Sequence, residues 1–202
     1  MYMHIDRFLE AVSLGHFPNL PGATARQFES FEARVGWRLD DELRAFYLRF
    51  DGASLFKRPD SPYRILSLAE VLRARVAFFG NAGDSAEYGS DSWFVICSVQ
   101  DGDYVAIDVS QASNGLYPVF ECFHGTRPGA PGSVQIAWSF SDFLERALES
   151  EGRLYWLSRG WTLQKTVTQL PDSDFDRVVE ELEKPAKPLP RLRTLAQRKS
   201  RC

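Results

Sequence analysis

Few side chains in this sequence have the type and spacing for chemistry. Cys122 and His124 stand two apart in an apolar run, so on a strand both point to one face, and a thiol beside an imidazole can begin a metal site or a nucleophile–base pair. A zinc site needs two more ligands, and His4, His16, Cys97 and Cys202 supply no second closely spaced pair. The two residues are therefore read as core or strand-edge positions, and a hydrolase using Cys122 and His124 is the lowest of three functional alternatives. Asp101 and Asp103 form a second pair, but they flank a glycine, where aspartate serves the backbone of a turn. No serine has a Gly-x-Ser-x-Gly setting, and neither a phosphate loop nor a dinucleotide fingerprint occurs. No catalytic residue, metal or cofactor is assigned, and the chain is expected not to be an enzyme.

Charge placement is more informative. The stretch Asn81 to Asp91 holds Asp84, Glu87 and Asp91 with Tyr88 and contains no base, which makes it an acidic surface loop. A nuclease is positive where it grips phosphates, and an inhibitor presenting acids there associates faster. Asp84, Glu87, Tyr88 and Asp91 are accordingly the candidate partner-binding residues, against the plainer reading of a solvated loop. From Lys184 onward the pattern inverts: Lys187, Arg191, Arg193, Arg198, Lys199 and Arg201 meet no acid, so the net charge of -3 conceals a more acidic body. That basic end has no aromatic residue to stack on bases, so nucleic acid is not the expected partner. Three scattered cysteines fit reduced thiols in the cytoplasm better than a disulfide framework. Met1 to Glu10 lacks the apolar core of a signal peptide, and no run approaches a membrane span.

The elements that must position these residues follow from periodicity. With 202 residues, 44% hydrophobic, 25% charged and rich in Phe, the chain supports one well-buried core. Trp93 to Ser110 reads as a hairpin about Asp101-Gly102, the pair a type I′ turn requires because both central residues need φ > 0. If Gln100 faces Asp103, then Phe94, Ile96, Ser98, Val105, Ile107 and Val109 share one face, and Trp93, Val95, Cys97, Val99, Tyr104, Ala106 and Asp108 share the other. Both faces are too apolar for water, so the hairpin belongs inside a covered sheet, with Asp108 either capping amides or ending in solvent.

Thr24 with Gln27 is a capping box for a helix burying Phe28, Phe31 and Val35. Asp40 caps a second helix with Leu43, Phe46, Tyr47 and Phe50 on one stripe. Ser67 with Glu70 repeats the box and predicts a helix to about Phe78. Tyr63 to Leu66, Leu116 to His124 and Val134 to Trp138 read as strands, and Arg127 to Gly132 as a loop. Phe140, Phe143, Leu144, Ala147 and Leu148 make the clearest amphipathic helix, capped by Ser139 or Ser141. Arg153 to Trp161 extends the sheet or covers its edge; a short helix with Phe175, Val178, Val179 and Leu182 follows. Ile5, Phe8, Leu9 and Val12 suggest another short helix near the start.

This order of elements resembles the SUKH superfamily, in particular its Smi/Knr-type domain. The likeness is carried by Leu43 to Gly52, Ile65 to Val71, Asp101 to Asp108, Tyr117 to Phe120 with His124 after it, and Ile136 to Leu144, spanning about residues 24 to 150. The family's usual Leu-Pro before the second helix is Leu39-Asp40 here, a mild change because Asp also starts helices. The resemblance implies an α+β fold with a central, mostly antiparallel sheet flanked by helices, and the domain is placed at residues 1–165. Beyond it the residues themselves read as a short C-terminal helix at 166–184, opened by Asp172 or Ser173, and a Pro-containing basic tail at 185–202. It further implies a protein-binding module, of the immunity type that neutralises a cognate toxin, commonly a nuclease, in the cytoplasm. The alternative is a regulatory scaffold of the cell-wall-assembly type, since fold alone does not choose between such roles.

Overall fold

Thr24 and Gln27 close the expected capping box: Thr24 Oγ1 accepts the Gln27 N–H (3.3 Å) and Gln27 Oε1 accepts the Thr24 N–H (2.9 Å). Helix α1 (Ala25–Val35) follows and buries Phe28, Phe31 and Val35. Asp40 Oδ1 accepts the Leu43 N–H (2.8 Å) and opens α2 (Asp41–Arg49), whose buried side includes Leu43, Phe46 and Tyr47. The computed structural model describes residues 21–56 and 63–163. The helices expected near the start and at 166–184, the basic tail, and the turn at Asp60 to Pro62 lie outside the described residues.

Among the described residues six strands form one sheet: β1 (Ala53–Ser54), β2 (Arg64–Ile65), β3 (Trp93–Ser98), β4 (Tyr104–Asp108), β5 (Val119–Cys122) and β6 (Gln135–Ala137). They lie in sequence order and every neighbouring pair is antiparallel. With α3 (Ala74–Phe79) and α4 (Phe140–Glu149, capped by Ser139) this is the α+β architecture expected. Aromatic side chains fill the core on the α1, α2 and α4 side: Trp37 meets Phe31 and Phe94 with centroids 5.1 Å apart in each case, and Phe46 of α2 meets Phe140 of α4 at 5.3 Å. Phe78 of α3 packs on Tyr104 of β4 (5.4 Å). At the last strand, Tyr155 Oη donates to the Ile136 carbonyl (3.0 Å) and Gln135 Nε2 to that of Ala137 (3.1 Å). Residues 155–157 form a single turn, so this segment covers the edge instead of extending it, and blunts it against further strand pairing.

The hairpin turn forms as predicted, with Asp101 at φ 59°, Gly102 at φ 81° and the Asp103 N–H on the Gln100 carbonyl (3.1 Å). Its register differs. The Val99 N–H also reaches Asp103, by its carbonyl (2.9 Å), so Ser98 pairs with Tyr104, and a second irregularity at Ile96 separates Cys97↔Val105 from Val95↔Ala106. The pairs Phe94/Ile107 and Trp93/Asp108 keep their expected shared faces; Ser98/Val105 do not. With both faces buried, apolar alternation penalises a slip too little to fix register. The Ser67–Glu70 bonds also form (2.9 and 2.8 Å), but they close one turn and no helix. Arg34 takes the carbonyls of Leu68 and Val71 (2.6 and 2.7 Å), the Asp51 carboxylate takes the Leu68 N–H (2.7 Å), and Leu72 accepts from Val95 (3.0 Å). These bonds hold the chain extended until α3 begins at Ala74.

Candidate protein-binding surface

That extended approach sets two arginines at the start of α3. Arg75 is buried, and its Nε and Nη2 donate to Asp84 Oδ1 (3.0 and 2.8 Å) while Nη1 donates to the Gly89 carbonyl (3.1 Å). Arg73 adds Nη1 to Asp84 Oδ2 (3.3 Å) and Nε to the Asp91 carbonyl (3.3 Å). The loop from Asn81 to Asp91, folded as two short 3₁₀ turns, is thus wrapped around two guanidinium groups. Its expected contact residues separate into two roles. The Arg75 hydrogen bonds hold the Asp84 carboxyl below the usual carboxylate range, which makes it a tether with its charge matched. Glu87 and Asp91 are exposed, and Tyr88 stands half-buried with its ring 5.1 Å from Phe79.

A second loop, rich in Pro and Gly, abuts the first. The Ser90 N–H donates to the Pro128 carbonyl (2.8 Å). Gly89 has φ 131°, and a Cβ there would lie 2.8 Å from the Pro128 oxygen, so only glycine allows this approach. Two depressions border the joined loops over Trp93, which itself stacks on Phe120 (4.6 Å). One, of about 530 Å³, is polar and lined by Ser90, Ser92, Asp108, Ser110, Gln111 and Gln135 among others. The other, of about 360 Å³, is lined mainly by apolar groups, among them Phe123, Pro131, Val134 and Leu157.

Asp108 anchors the polar depression. Its Oδ1 accepts from Ser92 Oγ (2.7 Å), the Ser110 N–H (3.0 Å) and Ser110 Oγ (2.7 Å), and its Oδ2 from Gln111 Nε2 (2.7 Å). Burial alone would raise its pKa, but these donors outweigh burial and the pKa is lowered. Of the two options for this buried carboxylate, the structure selects the capping one.

The Cys122–His124 pair is not assembled as a site. Cys122 is buried at the end of β5, and burial pushes its thiol up to about 12, away from the thiolate a nucleophile needs. His124 lies beyond the strand, exposed, with Nδ1 2.7 Å from Asp103 Oδ1 and its N–H on the same oxygen (2.9 Å). Asp103 therefore does more than shape a turn: it ties the β3–β4 hairpin to the end of β5. Among the described residues no three His, Cys, Asp or Glu side chains converge as metal ligands, and no helix is long and apolar enough to cross a membrane.

Sequence reasoning missed the Arg75 tether, the docking of the second loop on the first and the apolar hollow. Pro and Gly marked residues 127–132 as a loop without indicating its neighbour, and Phe123 was legible only as one side of a strand.

The profile of the SMI1 / KNR4 family (SUKH-1) matches residues 22–146, a span that contains both loops and all six strands. The chain is similar to the immunity protein YokJ of Bacillus subtilis (strain 168), being 32% identical over 124 residues, 59% of this chain and 71% of YokJ.

Proposed function

The chain belongs to the SMI1 / KNR4 family (SUKH-1), and we propose that it is a non-enzymatic immunity-type protein that binds and neutralises a cognate toxin in the cytoplasm. The observation that carries this reading is the similarity to an immunity protein, beside a family match whose span, 22–146, includes the two joined loops. Neutralisation by binding needs a rigid surface with a few anchors inside a charged rim. The loop of Asp84, Glu87, Tyr88 and Asp91 supports that requirement: Glu87, Tyr88 and Asp91 offer the contacts, and Asp84, held by Arg75 and Arg73, keeps them in place. A toxin that is positive where it holds phosphates, such as a nuclease, suits this acidic loop.

The test is co-expression with the product of the adjacent reading frame, assayed for toxicity alone and together with this chain. Growth rescue and a stoichiometric complex are expected, and the double variant Glu87→Lys, Asp91→Lys should lose both while remaining folded. No protection and no complex with the unaltered chain would overturn the proposal.

A further inference from the structure

We propose that the chain's own segment 172–183 packs as a helix against the hollow lined by Phe123, Val134 and Leu157, through the stripe Phe175, Val178, Val179 and Leu182. The inference rests on the hollow and on the sequence, and it stands whether or not the chain neutralises a toxin. Phe123 and Val134 are each 42% exposed and Leu157 is 65% exposed, and all three surround one depression of about 360 Å³. Single exposed apolar residues such as Leu48 on α2 are ordinary, whereas three around one concavity form a patch that calls for a cover.

The segment needs a cover as much as the hollow does. Phe175, Val178, Val179 and Leu182 follow the i, i+3, i+4, i+7 spacing of one helical face, and Asp176, Glu180 and Glu181 fall away from that stripe. Asp172 or Ser173 supplies the cap. A helix of about twelve residues is marginal alone in water, so it persists only with its apolar stripe buried. The hollow is ready to receive it. Leu157 sits on the turn fixed by Tyr155 on the Ile136 carbonyl and by Trp156 Nε1 on Glu121 Oε1 (2.9 Å). A site ordered beforehand spends little binding energy on ordering itself.

Position selects the occupant. The Trp161 ring packs on Tyr155 (5.6 Å) and its N–H donates to the Ser158 carbonyl (3.0 Å), so the path beyond Leu163 starts beside the turn that carries Leu157. Residues 164–171 span at most about 29 Å when extended, and a tether that short gives an effective concentration on the order of millimolar. A modest apolar contact then suffices. The stripe of Ile5, Phe8, Leu9 and Val12 also lies outside the described residues, but it joins the body at Pro21, whose carbonyl accepts the Asp51 N–H (3.0 Å) just ahead of β1. In the sheet order four strand spacings, about 19 Å, separate β1 from β5. Charge does not choose between occupants, because the hollow is lined by one acid, Glu121, and one base, Arg127.

The experiment attaches a nitroxide to the full chain at Glu180→Cys, on the outer face of the segment, in a Cys202→Ser background where the remaining thiols, Cys97 and Cys122, are buried. Amide signals of the isotopically labelled protein are read before and after the nitroxide is reduced. Docking should broaden Phe123, Val134 and Leu157 more than the residues of β1, and reduction should restore them. Val178→Asp should lower the docked-to-free ratio about tenfold or more, because a buried valine becomes a charge against apolar walls. Leu157→Asp should do the same from the other side, read at Phe123 and Val134, and at 65% exposure the fold tolerates it. Broadening that is absent, confined elsewhere or unchanged by Val178→Asp would overturn the proposal. So would broadening of an isotopically labelled chain by a separate nitroxide-bearing one, which assigns the hollow to a second copy. Hollow amides that shift with Phe8→Asp and not with Val178→Asp assign it to the N-terminal stripe, and amides that respond only to the adjacent-frame product assign it to that partner; either result refutes docking of 172–183.

Discussion

Asp108→Asn keeps the shape of a buried side chain and removes its charge, and the structure sets the cost. The residue is 3% exposed and receives four hydrogen bonds, which tie Ser92 ahead of β3 to Ser110 and Gln111 after β4. A hydrogen bond to a charged group contributes about 1.5–3 kcal/mol net. Asparagine still offers one oxygen to Ser92 and Ser110, so those bonds weaken without vanishing. Its amide also faces Gln111 Nε2 donor to donor until the exposed Gln111 inverts. We expect a loss of about 1–2 kcal/mol for Asn and about 2–4 kcal/mol for Ala, the latter tempered by water entering from the polar depression. The pH dependence is a separate check. The folded-state pKa lies below the unfolded value of about 3.9, so the carboxylate's contribution is full above that value and lost as pH falls through the folded one. Urea unfolding across a pH series should show the gap between parent and Asp108→Asn constant from about pH 7 to 5 and closing only once pH has fallen below the unfolded value of about 3.9. Equal stability near neutrality, or a gap that persists in acid, would refute the argument that charge makes this anchor.

Gly89→Ala should cost about 1–3 kcal/mol, read as a lower Tm, because φ 131° and the 2.8 Å approach to Pro128 both reject a Cβ; an unchanged Tm would mean the loops are not locked. Asp40 behaves oppositely to Asp108: burial pushes it up to about 6 despite the amides of Leu43 and Tyr117. Its folded pKa then exceeds the unfolded value of about 3.9, so the stability it contributes rises as pH falls from about 6 to about 4. Asp40→Asn, which caps about as well, should flatten that part of the unfolding profile, and a profile that keeps its slope would contradict the shift. In a Cys202→Ser background, thiol reagents at about pH 8 should modify Cys97 and Cys122 only at the unfolding rate, because burial raises both thiols; immediate labelling of Cys122 would reopen the nucleophile reading.

Local interactions were legible in the sequence where one segment supplied both partners. Thr24 with Gln27, Asp40 ahead of α2, the Asp101-Gly102 turn and the apolar stripe of α4 all satisfy their own backbone or share one face, and each forms as read. Expectations failed where a distant group took over. The Ser67–Glu70 signal did not extend to a helix because Arg34 and Asp51, far off in sequence, claim the next carbonyls and amide. The hairpin register slipped because successive residues of β3 and β4 are buried on both faces of the sheet, which removes the polar side that would have fixed it.

The same distinction explains the candidate surface. The loop of Asp84 contains no base of its own, but Arg73 and Arg75 reach it from the start of α3, so a count made within one segment misses its tether. Phe123, Val134 and Leu157 come from the end of β5, the approach to β6 and the turn after α4. Each alone is an ordinary exposed side chain, and only the folded sheet sets them around one hollow. A surface assembled this way joins residues distant in sequence, whereas caps, turns and core stripes are set within one segment. The scaffold can therefore be read from its own sequence, while the candidate surface becomes readable only through its geometry.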